Sequence, residues 1–485
     1  MNSQKNITVQ ATTNNPKKSS LKTQNCNINT HIQNLKKSAR AITDCSGFFL
    51  NPLLALTAIT APAALADLTQ VPGLNGVQSS TAEAVQTLCP MMVGLELNSD
   101  QQALFARCSE LVQTSNELQG STNTPLSLGL SNQELAAALQ RIAPEETEII
   151  GAGVTNAAQD RINNLSGRLQ VLRTGSTTMP VAGISWTGKD LTGGSAGSMD
   201  AERWGMFING NYGTGNRDAS TEEDGFDFDA YGLTAGLDYR FSDVLVAGVA
   251  LGASRSEVDM DDNFGDYDTD GYSLSLYGTY YWQNFYLEGS LTYGIYEYSG
   301  QRRIIYASNS AVAGTSQRVD TDTDGDQTSY SFAVGYNGYM DQWNYHFFGR
   351  VEGVDADVDS YNETGTELAM RVDNQNIESV QLAVGAHMAY AFSQSFGVIT
   401  PYFSVEQRHE TDDEERSIKA RYIFDPNNID LVFKTERADE DFSVLSAGAN
   451  FVMHSGNQFF INYEAPIDLD NVESHTVVLG LRFEM

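Results

Sequence analysis

In the stretch Tyr272-Ser273-Leu274-Ser275-Leu276-Tyr277-Gly278-Thr279-Tyr280, alternate residues read Tyr, Leu, Leu, Gly, Tyr, and those between read Ser, Ser, Tyr, Thr. A period of two places the two sets on opposite faces of a β-strand. After Gln283-Asn284 the rhythm resumes. Phe285, Leu287, Leu291, Tyr293 and Ile295 alternate with Tyr286, Glu288, Ser290, Thr292, Gly294 and Tyr296, until Glu297 interrupts the apolar face. Val380, Leu382, Val384, Ala386, Met388 and Tyr390 repeat the pattern against Ser379, Gln381, Ala383, Gly385, His387 and Ala389.

Working outward from these strands, the same rhythm predicts twelve, at 204–213, 226–240, 243–258, 270–282, 285–299, 328–340, 343–356, 377–391, 396–409, 441–453, 457–465 and 474–485. Short turns such as Phe241-Ser242 and Asp341-Gln342 alternate with longer connections at 214–225, 259–269, 300–327, 357–376, 410–440 and 466–473. That alternation is expected of a mainly β fold, a twelve-stranded antiparallel transmembrane β-barrel, with one rim in the periplasm and the other outside. Aromatics gather at the short turns (Tyr239, Tyr280, Trp282, Phe285, Trp343, Tyr345, Phe392, Phe396), as an interfacial girdle would. The more polar face carries Glu288, Arg350, Glu352, Glu406, Arg408 and Arg482. In a soluble sandwich these charges would enter a dry core at high cost, so they are expected to line a wet lumen.

Composition agrees. The chain holds 29 Lys+Arg against 62 Asp+Glu, a net charge of −33, which would repel a phosphate backbone; nucleic acid is not an expected partner. No run of 18 apolar residues occurs, which excludes a helical membrane anchor.

Residues 1–47 are basic, residues 48–61 apolar, and Ala64-Leu65-Ala66 precedes Asp67. This reads as a secretory signal with an extended basic leader, cleaved after Ala66. Its loss removes seven Lys/Arg and one Asp, taking the net charge to −39, and leaves Cys89 and Cys108. In an oxidising compartment these most simply form one disulfide; two buried free thiols are the alternative.

In the segment expected at 67–175, the periodicity from 79 to 173 is helical. Ser131 and Glu134 have capping-box spacing, a helix is expected over about 100–118, and Ala158, Ile162, Leu165, Leu169 and Leu172 form one apolar stripe over 154–173. Residues 176–202, rich in Gly, Ser and Thr, read as a linker to the barrel at 203–485. No nucleophile elbow, HExxH or phosphate loop is present, and no cofactor is expected.

The segments Ala230-Tyr231-Gly232-Leu233-Thr234-Ala235-Gly236-Leu237-Asp238-Tyr239-Arg240, Thr400-Pro401-Tyr402-Phe403 and Val477-Val478-Leu479-Gly480-Leu481-Arg482-Phe483 resemble the autotransporter family, over the whole barrel. The resemblance implies a Gram-negative outer-membrane barrel that translocates or displays the segment before it at the cell surface. It also implies insertion by the barrel assembly machinery after escort by periplasmic chaperones, lipid around the wall, and a monomer. The family's terminal aromatic is replaced here by Phe483-Glu484-Met485, in which Phe483 and Met485 keep the alternation. Asn163-Asn164, with Arg168 and Arg173, resembles the pore helix of self-cleaving members, cut between two Asn by cyclisation of an Asn side chain. Two solvated helix residues are the other reading, as a non-secreting porin or adhesin barrel with a plug is for the whole chain. An outer-membrane hydrolase would need His409 with Asp412 or Asp413.

Two acidic runs open like EF-hand loops: Asp266-Tyr267-Asp268-Thr269-Asp270-Gly271, and the run holding Asp320, Asp322 and Asp324. Each lacks the closing Glu, so solvated loops or weak calcium sites are expected.

Overall fold

The computed structural model describes residues 67–144, 147–174, 203–220 and 223–484. The expected signal at 1–66, the linker at 176–202 and Met485 lie outside the described residues. Twelve antiparallel strands close a barrel: β1 (Trp204–Arg217), β2 (Phe226–Ser242), β3 (Leu245–Met260), β4 (Gly265–Trp282), β5 (Phe285–Tyr306), β6 (Thr315–Met340), β7 (Trp343–Val358), β8 (Gln375–Tyr390), β9 (Gly397–Glu410), β10 (Asp441–Met453), β11 (Gln458–Ile467) and β12 (Val472–Glu484). Sequence neighbours pair throughout, and β1 closes on β12, with Gly205 opposite Glu484 and Arg217 opposite Val472.

The outward faces of β4 to β6 locate the bilayer. On β5 the exposed residues run from Phe285 to Ile295 and then change to Glu297. On β6 the change falls between Thr328 and Tyr330, and on β4 between Asp270 and Tyr272. Ten residue steps at about 3.4 Å, tilted about 40°, make an apolar band about 26 Å tall, the height of a lipid core. Glu297 therefore marks the outer edge of the membrane on a strand that continues beyond it.

Here the structure corrects the sequence reading. The connection expected at 300–327 is mostly strand, because β5 and β6 pair from Phe285 opposite Tyr336 up to Tyr306 opposite Thr315. Asp320, Asp322 and Asp324 sit on the outward face of β6, where alternate side chains stand about 6.7 Å apart and cannot converge on one ion. Asp268 and Asp270 on β4 are paired with Arg255. Alternating inward residues such as Ile304, Tyr306 and Val319 drive these extensions, because they have something to cover.

What they cover is helical. Three helices, α1 (Gly76–Met92), α2 (Ser99–Leu118) and α3 (Asn132–Ile142), stand over the long-connection rim. Each starts in a complete capping box, from Asn75, Asn98 and Ser131; in the last, Glu134 accepts from the Ser131 N–H at 2.8 Å. The sequence reading lacked α1, whose Gly76 start and late Pro90 mask its helical period. A disulfide joins Cys89 of α1 to Cys108 of α2, with Cα atoms 5.8 Å apart. Leu88, Leu104, Leu111, Leu135 and Ile142 form one core with Tyr306 and Val319 of the barrel. Met370, Ile418, Leu431 and Phe433, from a four-stranded sheet built by the loops after β7 and β9, belong to the same core. The helices are thus a cap that shares its core with the barrel mouth. A fourth helix, α4 (Thr147–Thr174), descends from this cap into the lumen, starting seven residues before the expected 154.

Candidate functional site: the lumen and its helix

The 28 residues of α4 make a rod of about 42 Å, long enough to cross the barrel. Its stripe of Leu165, Leu169 and Leu172 packs on Phe207, Val246, Ala250 and Tyr277, inward residues of β1, β3 and β4. These small or flat side chains let the rod lean on one wall. Near the short-turn rim, Arg168 forms an ion pair with Asp238 of β2, both almost wholly buried, with its Nε 2.9 Å from the carboxylate. Tyr277 donates to the same carboxylate at 3.2 Å, and the Arg168 guanidinium lies 5.2 Å from the Phe207 ring centre. Higher up, Arg161 donates to Ser254 at 2.8 Å and to Tyr296. Helix and wall are matched by charge as well as by shape.

All six residues expected to line the lumen face inward. Arg350 lies 2.9 Å from Glu352 and 2.5 Å from Glu406, and Arg408 lies 2.7 Å from Glu406 and 3.4 Å from Glu352. They form one alternating network across β7 and β9. Glu288 borders the cavity beside that network, and Arg482 is buried on β12. Phe483 faces outward on the last strand. His409 meets Asp441 at 3.1 Å across β9 and β10, on the outer wall, so the pairing with Asp412 or Asp413 that a hydrolase would need is not made.

The two asparagines sit at mid-lumen. The Asn163 side-chain amide donates to Glu464 at 3.0 Å, and the Asn164 amide donates to Asn211 at 2.7 Å. Asn209 donates to the Asn164 backbone carbonyl at 2.9 Å. Cyclisation needs a base on the attacking amide and a donor on the carbonyl of that same residue. Here the carboxylate serves Asn163 and the carbonyl donor serves Asn164, so the two requirements fall on neighbouring peptide bonds.

Sequence reading missed Asp238, Asn209, Asn211 and Glu464. All four occupy inward positions on their strands, so a polar residue on the lumen face was the available signal.

At the outer rim, Glu223 lies 3.1 Å from Arg217, which is shared with Glu436 at 2.7 Å. Burial first, and the Glu436 charge second, push the Glu223 carboxyl up to about 7; a backbone hydrogen bond at Glu436 and the Arg416 charge offset only part of that cost. A carboxyl raised in the folded state holds its proton more tightly there. Its stabilising effect is complete below its unfolded value near 4.5 and is lost as the pH rises to about 7. Glu223→Gln is therefore expected to slow proteolytic nicking of the β1–β2 connection about threefold at pH 8 and to leave it unchanged at pH 5. A variant that behaves like the parent chain at both values would refute this.

A family model for the autotransporter β-domain matches residues 206–464. The chain is 25% identical over 217 residues to esterase EstA of Pseudomonas aeruginosa, covering 44% of this chain and 33% of that protein. It is 27% identical over 241 residues to outer membrane protein B of Rickettsia prowazekii, covering 48% of this chain and 14% of that protein. It thus spans a third or less of the length of either relative. Among solved structures, the translocator domain of autotransporter NalP from Neisseria meningitidis is similar at 15% identity and TM-score 0.48, over 68% of this chain and 98% of that one. The β-domain of the Bordetella autotransporter BrkA is similar at 16% identity and TM-score 0.42, over 58% of this chain and all of that one.

Proposed function

Because the chain belongs to the autotransporter family, through its β-domain, we propose that its barrel carries a short passenger to the cell surface and keeps it there as a docked lid. The protein is an outer-membrane autotransporter; the proposal concerns the fate of the passenger. In this reading residues 1–66 direct export and are removed, residues 67–144 are the passenger, α4 is the segment left in the pore, and residues 176–202 connect it to β1. Periplasmic chaperones hold the unfolded barrel, and the assembly machinery recognises its last strand through Phe483 and Met485. The inserted barrel is a monomer with lipid around its wall.

One observation carries the lid. Arg302, on the extension of β5 and 1% exposed, holds Glu363 through two bonds of 2.7 and 2.9 Å. The same guanidinium points its Nη1 at the carbonyls of Arg141, Ile142 and Ala143, 3.4 to 3.5 Å away. A barrel cation thus satisfies the orphan carbonyls at the end of α3. A passenger built for release has no use for a buried anchor of this kind.

The passenger is read as non-enzymatic and the pore helix as uncut, since the base and the carbonyl donor serve different bonds. The alternative, a non-secreting barrel with a periplasmic plug, would put the helices at the short-turn rim. Intact mass and surface proteolysis of outer membranes test both points. A single species containing cap and barrel, nicked in the cap by protease added to whole cells, is expected. Two fragments meeting at Asn163-Asn164, or a cap reached only after the periplasm is opened, would overturn the proposal.

A further inference from the structure

Because α4 leans on β1 to β6, the opposite side of the lumen stays open. Under the cap it widens into a vestibule of 590 Å³, bounded by α4, the upper parts of β1, β2 and β7 to β12, and the loops after β1, β9 and β11. That volume is within the range of small-molecule pockets. It runs along β12 from Thr476 to Val472, about 13 Å of strand at about 3.3 Å per residue, with Glu464 of β11 at its lower end.

Its lining is of two kinds. Ile149, Ile162, Phe226, Phe228, Val354 and Phe442 give apolar wall. Between them, nine acidic residues border the space, counting inward and loop positions, against four arginines. Three of the arginines are already engaged, and the fourth, Arg416, is buried beside Glu223. Arg408 belongs to the Glu352–Glu406 network, Arg217 to Glu223 and Glu436, and Arg437 to Asp413 and Glu415. Glu464 at the floor receives only the Asn163 amide among the described hydrogen bonds, and Asp439 at the rim receives the Asp470 N–H. After burial, the neighbouring Glu436 charge is the second cause of the raised Glu223 carboxyl.

We propose that this vestibule binds an organic polycation, a flexible aliphatic chain carrying two or more amines. The amines pair with separated carboxylates from Glu464 at the floor to Glu436 and Asp439 at the rim, and the methylenes lie along the apolar wall. A metal ion fits poorly. Among the described residues the one group placing three ligand atoms within 4.8 Å of one another is His409, Glu440 and Asp441, on the outer wall and outside this space. Here the carboxylates are spread along the depth of a cavity far larger than an ion.

The test is calorimetric titration of spermidine into the full chain, folded in detergent micelles. Saturable one-to-one binding is expected, weakened at least tenfold in the triple variant Glu436→Gln, Asp439→Asn, Glu464→Gln. Asp320→Asn with Asp322→Asn, on the outward face of β6, controls for general attraction to an acidic protein and is expected to change the affinity less than twofold. Magnesium alone is expected to give no one-to-one binding. The proposal is overturned if spermidine does not saturate, if both variants lose affinity equally, or if magnesium binds with the same stoichiometry and displaces spermidine. Heat-modifiable gel mobility establishes that each variant is folded.

Discussion

Arg302→Ala releases the helical cap: on whole cells, nicking within residues 67–144 is expected to accelerate about a hundredfold or more, while the barrel keeps its heat-modifiable mobility. The substitution leaves Glu363, itself almost wholly buried, without a cation and strips the end of α3 of its donor. Breaking one side of a buried ion pair costs about 3–5 kcal/mol, which is about two to nearly four decades in the docking equilibrium. Besides the shared apolar core, the cap's other polar ties to the mouth include Arg107 with Glu367 at 2.9 Å, Arg141 with Asp224, and Asn309 and Ser310 donating to the Leu128 and Ser127 carbonyls. These polar ties and the core are the same in both chains, so they do not replace that loss. Removing both charges, as in Arg302→Met with Glu363→Leu, should recover part of the protection, because no uncompensated ion is then buried. Arg318→Ala, which removes an exposed pair with Asp320, should have no effect. A cap that stays as resistant in Arg302→Ala as in the parent chain would contradict a docked lid.

The second large effect is expected from Asp238→Ala. Arg168 would remain in the lumen wall with no carboxylate, beside Phe207 and Tyr277, at a cost of about 3–5 kcal/mol. The cheapest relief is for the lower half of α4 to leave its groove and expose Arg168 to lumen water. Single-channel conductance in planar bilayers is then expected to rise at least threefold. A cysteine placed at Leu172, buried in the parent chain, should become accessible to a soluble maleimide. Unchanged conductance together with an unreactive cysteine would show that the ion pair does not hold the helix.

Legibility followed the physics of each element. The apolar alternation of β4 and β5 was plain because lipid on one side imposes a uniform face. The β5–β6 extensions were misread because their outward residues are Arg, Asp and Ser, the same types that make solvated loops. Their inward partners, Ile304, Tyr306 and Val319, are informative only once the cap they cover is known. Likewise the α4 stripe announced a helix with one buried side, but nothing local to 154–173 names Asp238, 70 residues away from Arg168, as its partner.

The sequence by itself determined that a twelve-stranded barrel would form, which rim each connection belongs to, which side chains face lipid, and that a helical segment precedes it. Those features rest on period-two and period-3.6 patterns and on connection length, which are local properties of the chain. The tertiary structure alone decided that the helices dock as a lid, that α4 leans to one side, that the Asn163 and Asn164 chemistries are split, and that an acidic vestibule remains open. Each of these depends on which distant side chains meet inside a closed wall. Closure brings Arg302 to the end of α3 and Glu464 to Asn163, contacts that no periodicity encodes.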